Sequence, residues 1–358
     1  MTTGTDSDLD ALYTDLDAAD LRPLWTITDQ LLTPTPRPAA VPWLWPASVM
    51  RPLARRAVRL VPVERGGERR VLALRNPGLG GLPHAVGTLW GALQCLGPRE
   101  VAPAHRHTPG AIRFVLEGHG VWTTVDGDAC DMGPGDLVLT PSMRWHDHTN
   151  GGDAEMYWFD GLDLPMVRAL DGVFFESWPG PGGSQPPAAV HNASERAAPP
   201  GRRLVPGAVA GPASDRPSDL LTYRWADTDA ALTALERETE APLMAVEYAD
   251  PRTGASVLPT MACAVHRLRG RSAPVRRAGN AIHVVHRGSG ESVVDGLRFT
   301  WERGDMFVVP SWHAVEHHSS AADLFVLTDE PVLRALGLAR TETLPGPQTV
   351  TGALGGAR

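Results

Sequence analysis

Two stretches of the chain read as copies of one another: "AIRFVLEGHGVWTTVDGDACDMGPGDLVLTPSMRWHDHTN" (Ala111–Asn150) and "NAIHVVHRGSGESVVDGLRFTWERGDMFVVPSWHAVEHH" (Asn280–His318). Each passes from an apolar β-like run into Gly-x-Gly, then a Val-Asp-Gly turn and a Gly-Asp turn. Each ends in a run closing on Pro-Ser, then Trp and His. Short apolar runs split by Gly, Pro and Asp are the pattern of an all-β sandwich or barrel. A repeat of that pattern predicts two copies of one β-barrel.

The rest of the chain is organised around these copies. Residues 1–68 read as a helical and irregular arm, with leucines at helical spacing over 8–34 and a further helix over Ala47–Leu60. The first barrel spans 69–176. Residues 177–218, rich in Gly, Pro, Ala and Ser, read as a linker that is partly disordered or wrapped over the surface. The second barrel spans 219–344 and opens with a helical patch over Ala230–Thr239. Residues 345–358 read as a flexible tail.

Composition excludes several classes. The 358 residues carry a formal charge of -8, which argues against a general nucleic-acid binder. No run reaches the roughly 18 to 20 apolar residues of a membrane span, and the acidic N-terminus lacks the apolar core of a signal peptide. The three cysteines, Cys95, Cys130 and Cys263, form no CxxC pair and suit a reducing cytoplasm.

Chemistry concentrates in "HRHTPGAIRF" (His105–Phe114) and "WHDH" (Trp145–His148). On a strand, residues i and i+2 share a face, so His105 projects with His107 and His146 with His148. Two such pairs in a hairpin-rich barrel point to a metal bound by imidazole, which suits Fe, Zn, Cu or Ni. Arg113 stands at i+6 from His107 and faces the same way if the strand is unbroken; otherwise it is a surface strand arginine. The second copy keeps no such set. Matching Gly288 to Gly118 and Pro310 to Pro141 puts Val275, Arg277 and Val315 where His105, His107 and His146 stand, with His317 at the place of His148. His283, His286, His313, His317 and His318 are left as a different cluster or as structural residues.

The paired motifs resemble the cupin superfamily, and the repeat resembles a bicupin: two double-stranded β-helix (jelly-roll) barrels. Five segments narrow the resemblance: "RRVLALRNPGL" (Arg69–Leu79), "LWGALQ" (Leu89–Gln94), "VAPAHRHTPGAIRFVLEG" (Val101–Gly118), "GDLVLTPSMRWHDH" (Gly135–His148) and "YWFDGLDLP" (Tyr157–Pro165). They resemble the gentisate 1,2-dioxygenase family, with its salicylate and 1-hydroxy-2-naphthoate dioxygenase relatives.

The resemblance implies an Fe(II) site of three histidines, His105, His107 and His146, without the carboxylate of the common cupin site. It implies Arg113 gripping a substrate carboxylate, His148 serving a substrate hydroxyl, and Asp160 reaching a hydroxyl or bracing His148. Arg69, Trp90, Ala92 and Gln94 would line the pocket. Trp90 as plain core, Asp160 as a turn residue, and Arg70 in place of Arg69 stay open. Also implied are a small aromatic hydroxy-acid and O2 as partners, opening of gentisate to maleylpyruvate, and a tetrameric homo-oligomer. A metal-dependent isomerase or decarboxylase, or a non-catalytic bicupin, remain alternatives. Departures from the family pattern are Arg99 in "CLGPREVAP", where a glycine is usual, and Met143-Arg144 before Trp145.

Overall fold

The computed structural model describes residues 6–62, 70–199, 203–207 and 215–354. Residues up to Arg37 form a unit of their own, with the helix Asp6–Ala18 and the short helix Thr28–Leu31. The helical stretch expected over 8–34 stops after Ala18. Asp20 takes a φ of 53°, and Pro23 supplies no N–H and constrains the residue before it.

The larger unit begins at Pro38, so the arm expected through residue 68 divides at 37. The strand Trp43–Trp45 pairs antiparallel with Met306–Val308 of the second repeat. The helix Ala47–Leu60 buries Ala47, Met50 and Ala54, at i, i+3 and i+7 on one face. The Ala47 N–H donates to Asp305 Oδ1 at 2.7 Å.

The first repeat folds as a jelly roll of two sheets rather than a closed barrel. One sheet orders the strands Thr222–Tyr223, Leu137–Thr140, Ala111–Glu117, Met156–Leu162, Trp90–Leu96 and Val71–Ala73. The other orders Phe175–Ser177, Val101–His107, His146–Asn150, Val121–Val125 and Asp128–Met132. The second repeat keeps this plan with fewer breaks. Its strands Ala281–Val294 and Ala314–Thr328 run through both halves, bending at register shifts on either side of Arg287–Gly288. Both copies need the first glycine of Gly-x-Gly. Gly118 and Gly288 have φ of 104° and 77°, and a Cβ on Gly288 would lie 2.1 Å from Ala321 O.

Strand alternation builds two cores from one sequence. Val115, Val138, Met156 and Trp158 turn into the first roll. Ile112, Phe114 and Phe159 turn out and share a core with Ile282, Phe325 and Leu327 of the second roll. Phe114 stacks on Phe325 at 4.2 Å between ring centroids. The rolls come close at Gly161, where a Cβ would sit 2.3 Å from Leu327 Cδ2.

The segment expected as a linker is tied down where it is described. Gln185 Nε2 donates to Thr124 O at 3.0 Å, Asn192 Nδ2 to Asp131 Oδ2 at 2.8 Å, and Leu204–Pro206 adds a strand to Leu243–Tyr248. Polar side chains and an open sheet edge supply what an apolar face lacks. The tail is held in the same way through Leu354, the last described residue: Gly352–Ala353 pairs parallel with Leu297–Arg298, and Gln348 Nε2 donates to Val293 O at 2.8 Å.

One buried acid sets a pH dependence. Burial raises the Glu247 carboxyl from 4.5 to about 7, against a hydrogen bond from Ser256. The folded protein therefore holds this proton more tightly than the unfolded chain. The contribution is fully present below about pH 4.5 and is lost as pH rises through about 7. Glu247→Gln removes that loss. It is expected to unfold ~3 kcal/mol less readily than the parent at pH 8 and no differently at pH 4.5, by denaturant titration at both values.

Candidate metal centre

The first roll encloses a cavity of about 370 Å³ whose wall includes His105, His107, Arg113, His146 and His148. Antiparallel pairing brings the histidines together. His105 stands opposite His146 in the ladder between Val101–His107 and His146–Asn150, beyond a register shift after Ala102. Ring centroids lie 4.3 Å apart for His105 and His146, 4.9 Å for His107 and His146, and 5.6 Å for His105 and His107. One nitrogen from each ring falls within 4.8 Å of the other two.

The backbone selects which nitrogen. Each Nδ1 meets a carbonyl two residues away: His105 with Pro103 O at 3.0 Å, His107 with Pro109 O at 2.8 Å, His146 with Arg144 O at 3.0 Å. A carbonyl only accepts, so Nδ1 carries the proton and each Nε2 keeps its lone pair. Nε2 of His146 is buried and has no partner among the described residues. Burial holds His107 down to about 4, and His146 well below the usual histidine range, with the Arg113 charge adding to the effect on both. Three neutral imidazoles converging through Nε2, one of them buried without a partner, fit a divalent transition metal.

Arg113 lines the same cavity for a reason other than the one expected. The chain turns at 108–110, and Arg113 lies on Ala111–Glu117 in the facing sheet, not on the strand of His107. It points in because the alternation of its own strand turns it in. Arg113 is 4% exposed; its guanidinium donates to Thr140 Oγ1 and sits with Nε 3.5 Å from Asp160 Oδ1. Burial raises the Asp160 carboxyl to about 6, against the pull of Arg113 and of the Trp158 indole N–H at 3.0 Å.

Asp160 lines the cavity but does not brace His148; among the described residues its partners are Arg113 and Trp158. The brace is Thr123, whose hydroxyl lies 2.9 Å from His148 Nδ1 and donates to Met132 Sδ at 3.1 Å. Thr123 Oγ1 is within reach of both Met132 Sδ and His148 Nδ1; in the tautomer with the proton on Nδ1, Oγ1 accepts it and His148 presents an unprotonated Nε2. This tautomer is assigned from the bonding pattern.

Trp90 and Gln94 line the cavity. Ala92, on the same face between them, is fully buried with only a methyl to offer, and is absent from the wall. Arg69 lies outside the described residues. Arg70 does not substitute for it: it is buried in an ion pair with Glu100 and donates to Val61 O at 2.7 Å. Phe175, not singled out in the sequence, stands at the wall with its ring stacked on His105 at 5.4 Å. Its strand is the edge partner of His105–His107, a pairing no local pattern announces.

The second roll reproduces the framework without the ligands. Val275 pairs with Val315 as His105 pairs with His146, and Ser292 pairs with His317 as Thr123 pairs with His148. Among the described residues, His105, His107 and His146 are the one cluster compact enough to hold a metal. His286 packs on Trp225 instead, at 4.1 Å, and His318 lies 3.7 Å from Glu291.

Comparison with known proteins agrees with this geometry. Residues 92–162 match the family model described as a cupin domain. The chain is 49% identical to a gentisate 1,2-dioxygenase from Streptomyces sp, over 93% of this chain and 95% of that protein. It is 35% identical to a 1-hydroxy-2-naphthoate 1,2-dioxygenase from Nocardioides sp. (strain KP7), over 89% of this chain and 83% of that one. Among solved structures, the salicylate 1,2-dioxygenase of Pseudoaminobacter salicylatoxidans, crystallised as an adduct with gentisate, matches with a TM-score of 0.87 and 39% identity. That match covers 97% of this chain and 96% of the other. No helix of the described residues is long and apolar enough to cross a membrane. With a three-histidine centre in one of two jelly rolls and relatives matched along nearly its whole length, this chain belongs to the gentisate 1,2-dioxygenase family of bicupin ring-cleaving dioxygenases.

Proposed function

We propose that this protein opens gentisate with O2 to maleylpyruvate, and that His105, His107 and His146 hold Fe(II). The observation that carries the reading is the three-imidazole cluster sharing its cavity with the Arg113 guanidinium. Fe(II) held by these three histidines would supply Lewis acidity toward an anionic substrate and the redox capacity to activate O2. Three neutral ligands leave the full charge of the ion to be met by an anionic substrate. The ring bond between the carboxyl-bearing and hydroxyl-bearing carbons breaks, and both oxygen atoms stay in the product.

The chain's own residues bind, orient and move protons. Arg113 offers a planar fork to the substrate carboxylate. His148, held by Thr123, takes the hydroxyl proton at Nε2. Trp90 and Phe175 wall the ring, and Gln94 and Asp160 meet its polar edge. A one-ring substrate accords with the cavity volume. Exposed Leu21, Leu24, Trp25, Leu31 and Leu32 in the N-terminal unit supply apolar surface for a homo-oligomer, tetrameric by resemblance. The three cysteines are free and buried, which suits a cytoplasmic location.

The test is oxygen uptake by anaerobically iron-loaded protein given gentisate. One O2 consumed per gentisate, with a new enol absorbance, is expected. Uptake with salicylate or 1-hydroxy-2-naphthoate alone would change the substrate and keep the chemistry. Turnover without oxygen use would move the protein to the isomerase or decarboxylase alternative.

Thr123→Val tests the brace. Loss of one hydrogen bond to His148 is expected to lower kcat about 3- to 10-fold with KM little changed, and to alter the pH profile of kcat. An unchanged kcat and pH profile would remove Thr123 from the proton path.

A further inference from the structure

The second roll holds a cavity of about 470 Å³, larger than that of the metal site. It does not repeat the three-imidazole set but keeps the kinds of group that hold an organic acid. Strand registers match its wall to the first roll residue by residue. His283 faces Val326 as Arg113 faces Asp160, and His266 faces Leu324 as Gln94 faces Trp158. His317 takes the place of His148, and Arg277 that of His107. The arginine and one imidazole have in effect exchanged positions, His317 keeps the place of His148, and His266 stands where Gln94 does.

Valines replace two of the three ligand imidazoles. Val275 and Val315 occupy two of the ligand positions. Ring centroids are 5.2 Å apart for His283 and His317 and 6.4 Å for His266 and His283, and these rings form no compact ligand set. What remains is a wall of Ala262, Ala264, Val309 and the three valines 275, 315 and 326, studded with imidazoles.

The polar groups are not satisfied from within. His283 is 3% exposed, and its Nδ1 and that of His266 have no partner among the described residues. Ser292 Oγ accepts from the Trp301 indole N–H at 2.8 Å and lies 2.7 Å from His317 Nδ1. Its own proton is free to go to Nδ1, which leaves His317 Nε2 as an N–H donor. The acids around the cavity are engaged: Glu247 with Ser256, Asp329 with Asn280 and Thr88, Glu330 with Arg334. Arg277 is exposed and has no carboxylate partner among the described residues, whereas its neighbour Arg276 faces Glu342 at 3.5 Å.

We propose that the second roll is a metal-free binding site for a small one-ring carboxylic acid. The carboxylate meets Arg277, the ring lies against Val275, Val315 and Val326, and a polar ring substituent meets His317 and His283. A cationic group at the entrance, an apolar interior and a few buried polar groups form a usual small-ligand pocket. The proposal does not rest on the reaction assigned to the first roll.

The probe is 4-bromobenzoate, which lacks the ortho hydroxyl needed to chelate a metal and carries an anomalous scatterer. Crystals of the iron-loaded protein soaked with it are expected to show bromine inside the second roll, beside Val315 and Val326. Calorimetry on His105→Ala protein, which retains the second roll, is expected to show binding that Arg277→Ala weakens tenfold or more. Bromine absent from the second roll, or confined to the first, would overturn the proposal. So would calorimetric binding that Arg277→Ala leaves unchanged. Failure of oxygen uptake with a bromine peak in the second roll would sink the dioxygenase reading alone.

Discussion

His146→Ala is expected to abolish ring cleavage, with oxygen uptake falling ~10³-fold or more and bound iron falling with it. Losses of ~10- to 100-fold follow removal of groups that merely support metal ligands, and His146 is placed to be a ligand itself. Its ring stands 4.3 Å and 4.9 Å from the other two imidazoles, and its Nε2 has no partner among the described residues. The side chain is 1% exposed, so truncation leaves a small buried void whose cost falls on stability. Iron content and oxygen uptake are therefore measured at a temperature where circular dichroism shows the variant folded. A folded variant that keeps stoichiometric iron and turnover would remove His146 from the centre.

Arg113→Met is expected to lower kcat/KM for gentisate about 10²- to 10³-fold, chiefly through KM. Truncating one partner of a buried, hydrogen-bonded charge pair costs about 2–5 kcal/mol, part of it the cost of the charge left behind. Here that charge is Asp160, buried beside Arg113 with its carboxyl already raised to about 6. Without the guanidinium it rises further, so at neutral pH more of it is protonated and the cavity loses both its anion grip and its charge balance. Arg113→Lys restores charge without the planar fork and is expected to recover only part of the loss. Steady-state kinetics of the two variants, with iron content matched, separate grip from charge. Equal kcat/KM in the parent and Arg113→Met would exclude the carboxylate role.

Part of this site was legible because strand geometry is local. Two-residue spacing places His105 with His107 and His146 with His148 on any strand, and the repeated Gly-x-Gly fixes a left-handed turn that Gly118 and Gly288 adopt. The matching of Val275, Val315 and His317 to His105, His146 and His148 also follows from counting along the repeat, and the strand registers reproduce it. The reach of Arg113 was anticipated on a premise the fold does not keep. Sequence phase runs along one strand, and the chain turned at 108–110 into the other sheet.

The sequence by itself determined the all-β character, the duplication and the pairs of histidines, since each follows from alternation and turn chemistry within a few residues. Only the tertiary structure decided what faces those pairs. Thr123 bracing His148, Asp160 opposing Arg113 and Phe175 stacking on His105 all join strands through ladder register or across the sandwich. The same holds for the exchange of arginine and imidazole that makes the second cavity different. Such contacts depend on which strands pair and how two sheets stack, and that choice is fixed by burying a common core, not by the residues that meet there.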